Sequence, residues 1–202
     1  MGKSLTRTEI RMEKTKENII DAALEIFDEC GYMKAKISKI TEKANVGYGT
    51  FYQYFKNKKE LLNFLSEEMS NNIGGYTHLE TQKLLDIKKR FYHGVIYILD
   101  FYLKYRTVFL IVSEAAVSDK TFVDSERKIH KNLFESIALD INYFINNGLC
   151  RKSVDNMTIF AIGCMIEGYA KQMLKMPEEE VDTDKIAKTL AKASYNALFD
   201  GK

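Results

Sequence analysis

A chain of 202 residues, 46% hydrophobic and 29% charged, has the balance of a soluble globular protein and is long enough to bury its own core in two domains, which excludes a disordered or membrane-embedded chain. One proline and eleven glycines leave few helix breakers, so the expected fold class is all-α. The net charge is only +2, yet residues 31–60 hold seven lysines against two glutamates, a concentration of positive charge that suits a polyanionic partner as well as a solvated face.

In chain order, a first helix is predicted over 14–29, because Ile19, Ile20, Ala23, Phe27 and Cys30 recur at helical spacing with charged residues between them. Gly31 stops it. A short second helix over 37–44 places Ile37, Ile40 and Ala44 on one face, and Asn45, which tolerates the left-handed conformation, suits the turn behind it. A third over 48–54 buries Phe51, with Phe55 just beyond it, and leaves Tyr48, Thr50 and Tyr52 outside the core. A fourth begins at Asn57, which with Glu60 forms a variant capping box before Leu61, Leu62, Leu65 and Met69. Residues 71–75, Asn-Asn-Ile-Gly-Gly, then read as a break. Beyond it the periodicity is helical throughout, with segments near 80–106, 108–117, 121–147, 154–175 and 183–199. Gly148 marks a helix stop, and Pro177 with Glu178, Glu179 and Glu180 a solvated loop.

Two short helices joined by a turn, in lysine-rich surroundings, have the layout of a helix-turn-helix, whose second helix enters the major groove. Ala44, Gly47 and Gly49 supply small residues where backbones pack tightly or approach DNA. Gly31-Tyr32, Ile37-Ser38-Lys39-Ile40, Ala44-Asn45-Val46-Gly47, Thr50-Phe51-Tyr52-Gln53-Tyr54-Phe55 and Lys58-Lys59-Glu60-Leu61-Leu62 resemble, in order, the signature of the tetracycline-repressor family. The resemblance covers the N-terminal third. It implies that Tyr52 and Lys58 contact phosphates and that Gly47, Tyr48 and Thr50 lie near the bases. Tyrosine hydroxyl and lysine ammonium suit phosphate, while threonine offers a hydroxyl or a methyl group to a base. The chain departs from the family where threonine or serine usually precedes the second helix: Ala35-Lys36 stands there, so Lys36 can replace a phosphate contact but not a cap. Asn45 and Gly47 stand where glycine and serine are common, which leaves the reading helix without a side-chain cap. Lys56 completes the expected DNA-facing set, and Lys3, Arg7, Arg11 and Lys14 form an expected basic arm, or an incidentally charged terminus.

The organisation expected is therefore a DNA-binding domain over 1–56, a connecting helix over 57–75, and a helical effector-binding and dimerisation domain over 76–202. Ile159, Ile162, Ile166 and Ala170, with Gly163 beside them, form one apolar stripe; Ile186, Leu190, Ala193 and Ala197 form another. Two copies of such a pair make a four-helix dimer contact, the arrangement the resemblance implies, although such stripes also serve as intrachain core. The aromatic density of the middle helices suits either core or a pocket for a mostly apolar ligand. His93, Tyr97, Phe101, Glu114, Phe134, Glu167 and Lys171 are the candidate ligand residues.

No apolar run approaches the ~20 residues of a membrane span, and the first sixteen residues lack the apolar core of a signal peptide, so a cytoplasmic location is expected. Cys30, Cys150 and Cys164 are odd in number and lack CxxC spacing; they read as reduced, buried, small apolar residues. His78, His93 and His130 are scattered, so neither a metal site nor a cofactor is expected. No nucleophile elbow, phosphate loop or dinucleotide fingerprint supports catalysis. The partners expected are operator DNA, a second copy and a small effector. The alternative is a DNA-binding regulator or architectural protein without an effector.

Overall fold

The structure is a computed structural model that describes residues 6–73 and 86–199. Lys3 of the expected arm, Gly74 and Gly75 of the expected break, His78, and residues 80–85 of the helix predicted from 80 lie outside the described residues. Among those described, every regular element is helical: α1 (Arg7–Lys34), α2 (Ile37–Lys43), α3 (Tyr48–Tyr54), α4 (Lys58–Asn72), α5 (Ile87–Lys104), α6 (Arg106–Ala116), α7 (Lys120–Asn146), α8 (Asn156–Met173), and α9 (Thr183–Leu198), with a 3-10 turn at Glu178–Glu180 where a plain loop was expected. The all-α fold class holds.

The chain divides into two compact units: Met1–Glu67 with Thr107–Glu126, and Glu68–Arg106 with Arg127–Lys202. The first unit is larger than the expected 1–56 because α6 and the start of α7 complete its core. Val108, Val112, Ala115 and Phe122 are buried there, and the Tyr32 ring packs edge-on to Phe122 with centroids 5.8 Å apart. Lys59 donates to Asp119 at 2.6 Å and to Thr121 at 2.9 Å.

Helix α1 begins seven residues before the expected start. Thr6 Oγ1 accepts from Glu9 N, and the Glu9 carboxylate accepts from Thr6 N in return, which satisfies orphan donors of the first turn. Arg7, Arg11 and Lys14 are thereby helical rather than an extended arm. The buried stripe is Ile19, Ala22, Ala23, Ile26 and Phe27; Cys30 is exposed and Ile20 half-buried. At Gly31 the backbone turns out of the helix, with φ 76° and ψ 162°, and helical geometry then resumes. Glu114 makes this possible by accepting from the freed amides of Tyr32 (3.0 Å) and Met33 (3.4 Å). A side chain at 31 would be strained by the positive φ and would press on that carboxylate.

In the second unit, α5 packs against α8 and α9, and α8 against α9. Asp86, Asp155 and Asp182 cap α5, α8 and α9 by accepting from first-turn amides. Gly148, at φ 67°, ends α7 as expected, with Leu149 N donating to Phe144 O and Gly148 N to Ile145 O. All three cysteines are free thiols, but Cys30 and Cys164 are exposed and Cys150 half-buried, which corrects the expectation of burial.

Candidate nucleic-acid interface and ligand cavity

Helices α2 and α3 pack on each other and α2 on α1. Asn45 makes the turn between them in the left-handed region, at φ 52°, while Val46 N donates to Thr41 O and Asn45 N to Glu42 O. Neither helix has a side-chain cap; Lys36 and Gly47 hold those positions, as the sequence implied. Phe51 and Phe55 anchor α3 in the core, with rings 5.8 Å apart. That burial turns Tyr48 (56% exposed) and Tyr52 (46% exposed) outward, one helical turn apart. Their hydroxyls lie 2.9 Å apart in a hydrogen bond. The bond to Tyr48 pushes the Tyr52 hydroxyl above its ordinary pKa. Thr50 is half-buried, and Gly47 is exposed.

Of the seven lysines in 31–60, four are engaged within the protein. Lys39 pairs with Glu42, Lys43 with Glu25 and Glu29, and Lys59 with Asp119. Lys58, expected on a phosphate, instead turns its ammonium onto the carbonyls of Tyr32, Met33 and Ala35 and over the Tyr32 ring. These carbonyls are the unpaired acceptors around the Gly31 kink, and burial lowers the lysine's pKa. Lys34, Lys36 and Lys56 are exposed, and no described residue pairs with them. They are the cations left to meet an external polyanion.

The ligand candidates fall elsewhere than expected. Glu114 belongs to the first unit, at the Gly31 kink. His93 is exposed. Tyr97 donates to Asn72 O, and Phe101 packs against Tyr105 with ring centroids 4.8 Å apart. Glu167 and Lys171 close a network with His130: Lys171 Nζ lies 3.1 Å from His130 Nε2 and 3.3 Å from Glu167, which also contacts His130 Nδ1 and accepts from Tyr102. Burial acts to raise the Glu167 pKa, but the His130 and Lys171 contacts outweigh it and hold the carboxyl below its ordinary value. Phe134 stacks on Phe160 and lies so close to Gly163 that a methyl group there would overlap its ring.

A cavity of about 40 Å³ does lie in the second unit, but none of the seven candidates lines it. Its wall is Arg90, Phe91, Gly94, Val95 and Ile98 of α5, with residues of α7 between Ser136 and Phe144, and Ile162 and Ile166 of α8. Ile162 and Ile166, expected at the dimer contact, are therefore interior. Ile159, Gly163, Ala170, Ile186 and Leu190 are likewise buried within the chain, leaving Ala193 and Ala197 exposed. The exposed face of α8 carries Met157, Phe160, Ala161, Cys164, Gly168 and Tyr169. A separate basic depression, about 500 Å³, lies between α5 and α9 and is lined by Lys88, Lys89, Tyr92, Lys188, Lys192 and Tyr195.

A helix-turn-helix with an outward aromatic pair on its second helix, joined to a larger helical unit, defines a DNA-binding regulatory protein. Residues 19–64 match the profile of "Bacterial regulatory proteins, tetR family". The fatty acid metabolism regulator protein of Bacillus subtilis is 50% identical over 50 residues, 25% of this chain and about a quarter (26%) of that protein's length. The whole fold is similar to that of the transcriptional regulator FadR from Bacillus subtilis in complex with stearoyl-CoA (TM-score 0.71, 21% identity, 90% of this chain and 98% of that one). It is also similar to that of the TetR family transcriptional regulator PfmR from Thermus thermophilus (TM-score 0.64, 14% identity, 88% and 97%). Residues 19–64 therefore form a DNA-binding domain of the TetR family, and the remainder of the chain shares the fold of these regulators. Among the described residues no helix is long and apolar enough to cross a membrane.

Proposed function

We propose that the protein is a homodimeric repressor that holds a two-fold symmetric operator through α3 and releases it when a mostly apolar small molecule enters the second unit. The observation that carries the DNA half is the outward Tyr48–Tyr52 pair over the buried Phe51 and Phe55. Phosphate contacts of this kind set register, while Thr50 and the glycine-rich start of α3 meet base edges. The dimer contact is the exposed face of α8, where Ala161, Cys164 and Gly168 allow close approach and Met157 and Phe160 add apolar area. Ala193 and Ala197 of α9 extend it.

The effector site is the cavity between α5, α7 and α8. At about 40 Å³ it is far below the roughly 300–1,000 Å³ of an occupied ligand site, so a ligand must favour an expanded conformation. Residues 136–144 of α7 line the cavity, while 120–126 of the same helix belong to the first unit, which gives expansion a route to the reading head. A relative named for fatty acid metabolism and a fold neighbour holding stearoyl-CoA support an acyl chain as the apolar ligand. The test is selection from a randomised duplex library. The protein should enrich a two-fold symmetric sequence, and Tyr48→Ala/Tyr52→Ala should lose it; enrichment of nothing, or of an asymmetric site by monomers, contradicts the reading.

A further inference from the structure

Arg90 is 8% exposed and lines the apolar cavity, yet its Nε and Nη2 have no hydrogen-bond partner among the described residues. The carboxylate of Asp140 has its Oδ1 3.7 Å from Nη2, near enough to offset charge and too far to accept a hydrogen bond. The guanidinium is held by ring faces, 4.7 Å from the centroid of Phe144 and 5.1 Å from that of Tyr143, which fix its plane without using its N–H groups. Buried donors left unmade are costly, and native proteins keep few of them.

We infer that Arg90 is the polar anchor of the effector cavity and receives the acyl oxygen, carbonyl or carboxylate, of a ligand whose alkyl chain runs among Val95, Ile98, Ile137, Ile141, Ile162 and Ile166. This rests on the cavity being the effector site. Nε–H and an Nη–H of a guanidinium point side by side from one edge, the geometry that two lone pairs of an acyl oxygen group accept together. The six aliphatic side chains offer nothing polar, so the chain end of the ligand gains only by leaving water. An oxygen at one end and a hydrocarbon tail are thus both specified by the wall.

The experiment is equilibrium dialysis of the full-length protein with octanoate, methyl octanoate and octane. Wild type should hold at least one oxygenated probe about tenfold or more tighter than octane, the size expected for a hydrogen bond to a charged group. Preference for octanoate names a carboxylate as the source; preference for the ester names an ester or thioester carbonyl. Arg90→Met should bring all three within about twofold of one another. Octane bound as tightly as the others by wild type overturns the Arg90 anchor but leaves the cavity as effector site. No binding of any probe overturns both. If Arg90→Met melts differently from wild type by circular dichroism, Arg90→Lys retains the charge without the paired donors and should reduce the preference; an unchanged preference in either folded variant overturns the inference.

Discussion

On α3, two neighbouring residues illustrate two different kinds of contact. Tyr52 presents its hydroxyl, hydrogen-bonded to Tyr48, on the exposed side of the helix, where the proposed function gives it a phosphate. Thr50 is half-buried and sits at the end of α3 that would meet the base edges. Tyr52→Phe is therefore expected to weaken binding to all duplexes alike and to reduce its salt dependence little, since no charge is lost. Thr50→Ala should change preference at particular base pairs, by about 1–3 kcal/mol at a position it reads. Binding measured across single-base variants of the selected site decides both; a uniform loss for Thr50→Ala removes its base-reading role. The tyrosine pair was legible in the sequence because residues four apart share a helix face. Lys58 was not: only the fold brings the carbonyls of Tyr32, Met33 and Ala35 to its ammonium. Arg90 is not legible either, because nothing local marks an arginine as buried.

At the scale of elements, caps and kinks depend on distant partners more than helical spacing does. The helices of the second unit fall within a few residues of their sequence-based bounds where described, and α3 falls on them. Apolar periodicity is a local property and survives folding intact. The early start of α1 has its own local signal, the Thr6-x-x-Glu9 capping box, which lies well before Ile19, the first residue of the buried stripe. Resumption of α1 beyond Gly31 had none, since Glu114 lies 82 residues from Tyr32. The N-terminus of α7 gives a test of such caps. Asp119 Oδ1 accepts from Thr121 N and Oγ1, and the other oxygen takes Lys59. The Lys59 and Thr121 hydrogen bonds hold its carboxyl at about 2, below the ordinary 3.8. A folded pKa below the unfolded one stabilises above the unfolded value and ceases to do so as pH falls through the folded value. The difference in urea midpoint between wild type and Asp119→Asn should accordingly be full above about pH 4 and shrink toward pH 2. A difference independent of pH would mean that the carboxylate charge plays no part in the cap.

At the scale of the whole molecule, the sequence misassigned faces rather than helices. Helix α8 is apolar almost all round: Ile159, Ile162, Ile166 and Ala170 point inward, while Met157, Phe160, Ala161 and Cys164 point outward. Periodicity alone cannot tell core from contact on such a helix. Cys164→Arg, placed on the outer face, should give folded monomers by sedimentation with operator binding reduced, because one reading head makes half the contacts. Ile166→Arg should instead destabilise the chain, since it buries a charge beside the cavity. A folded dimer for Cys164→Arg contradicts the proposed contact. In the proposed function, ligand and operator compete through one conformational equilibrium, and linkage makes that competition measurable in either direction. Titrate octanoate or methyl octanoate, whichever binds, into the protein by calorimetry, with and without saturating selected duplex. The duplex should weaken ligand binding by about 5- to 150-fold, the same factor by which ligand weakens the duplex; equal ligand affinity in the two titrations would show that the cavity, occupied or not, does not control DNA binding.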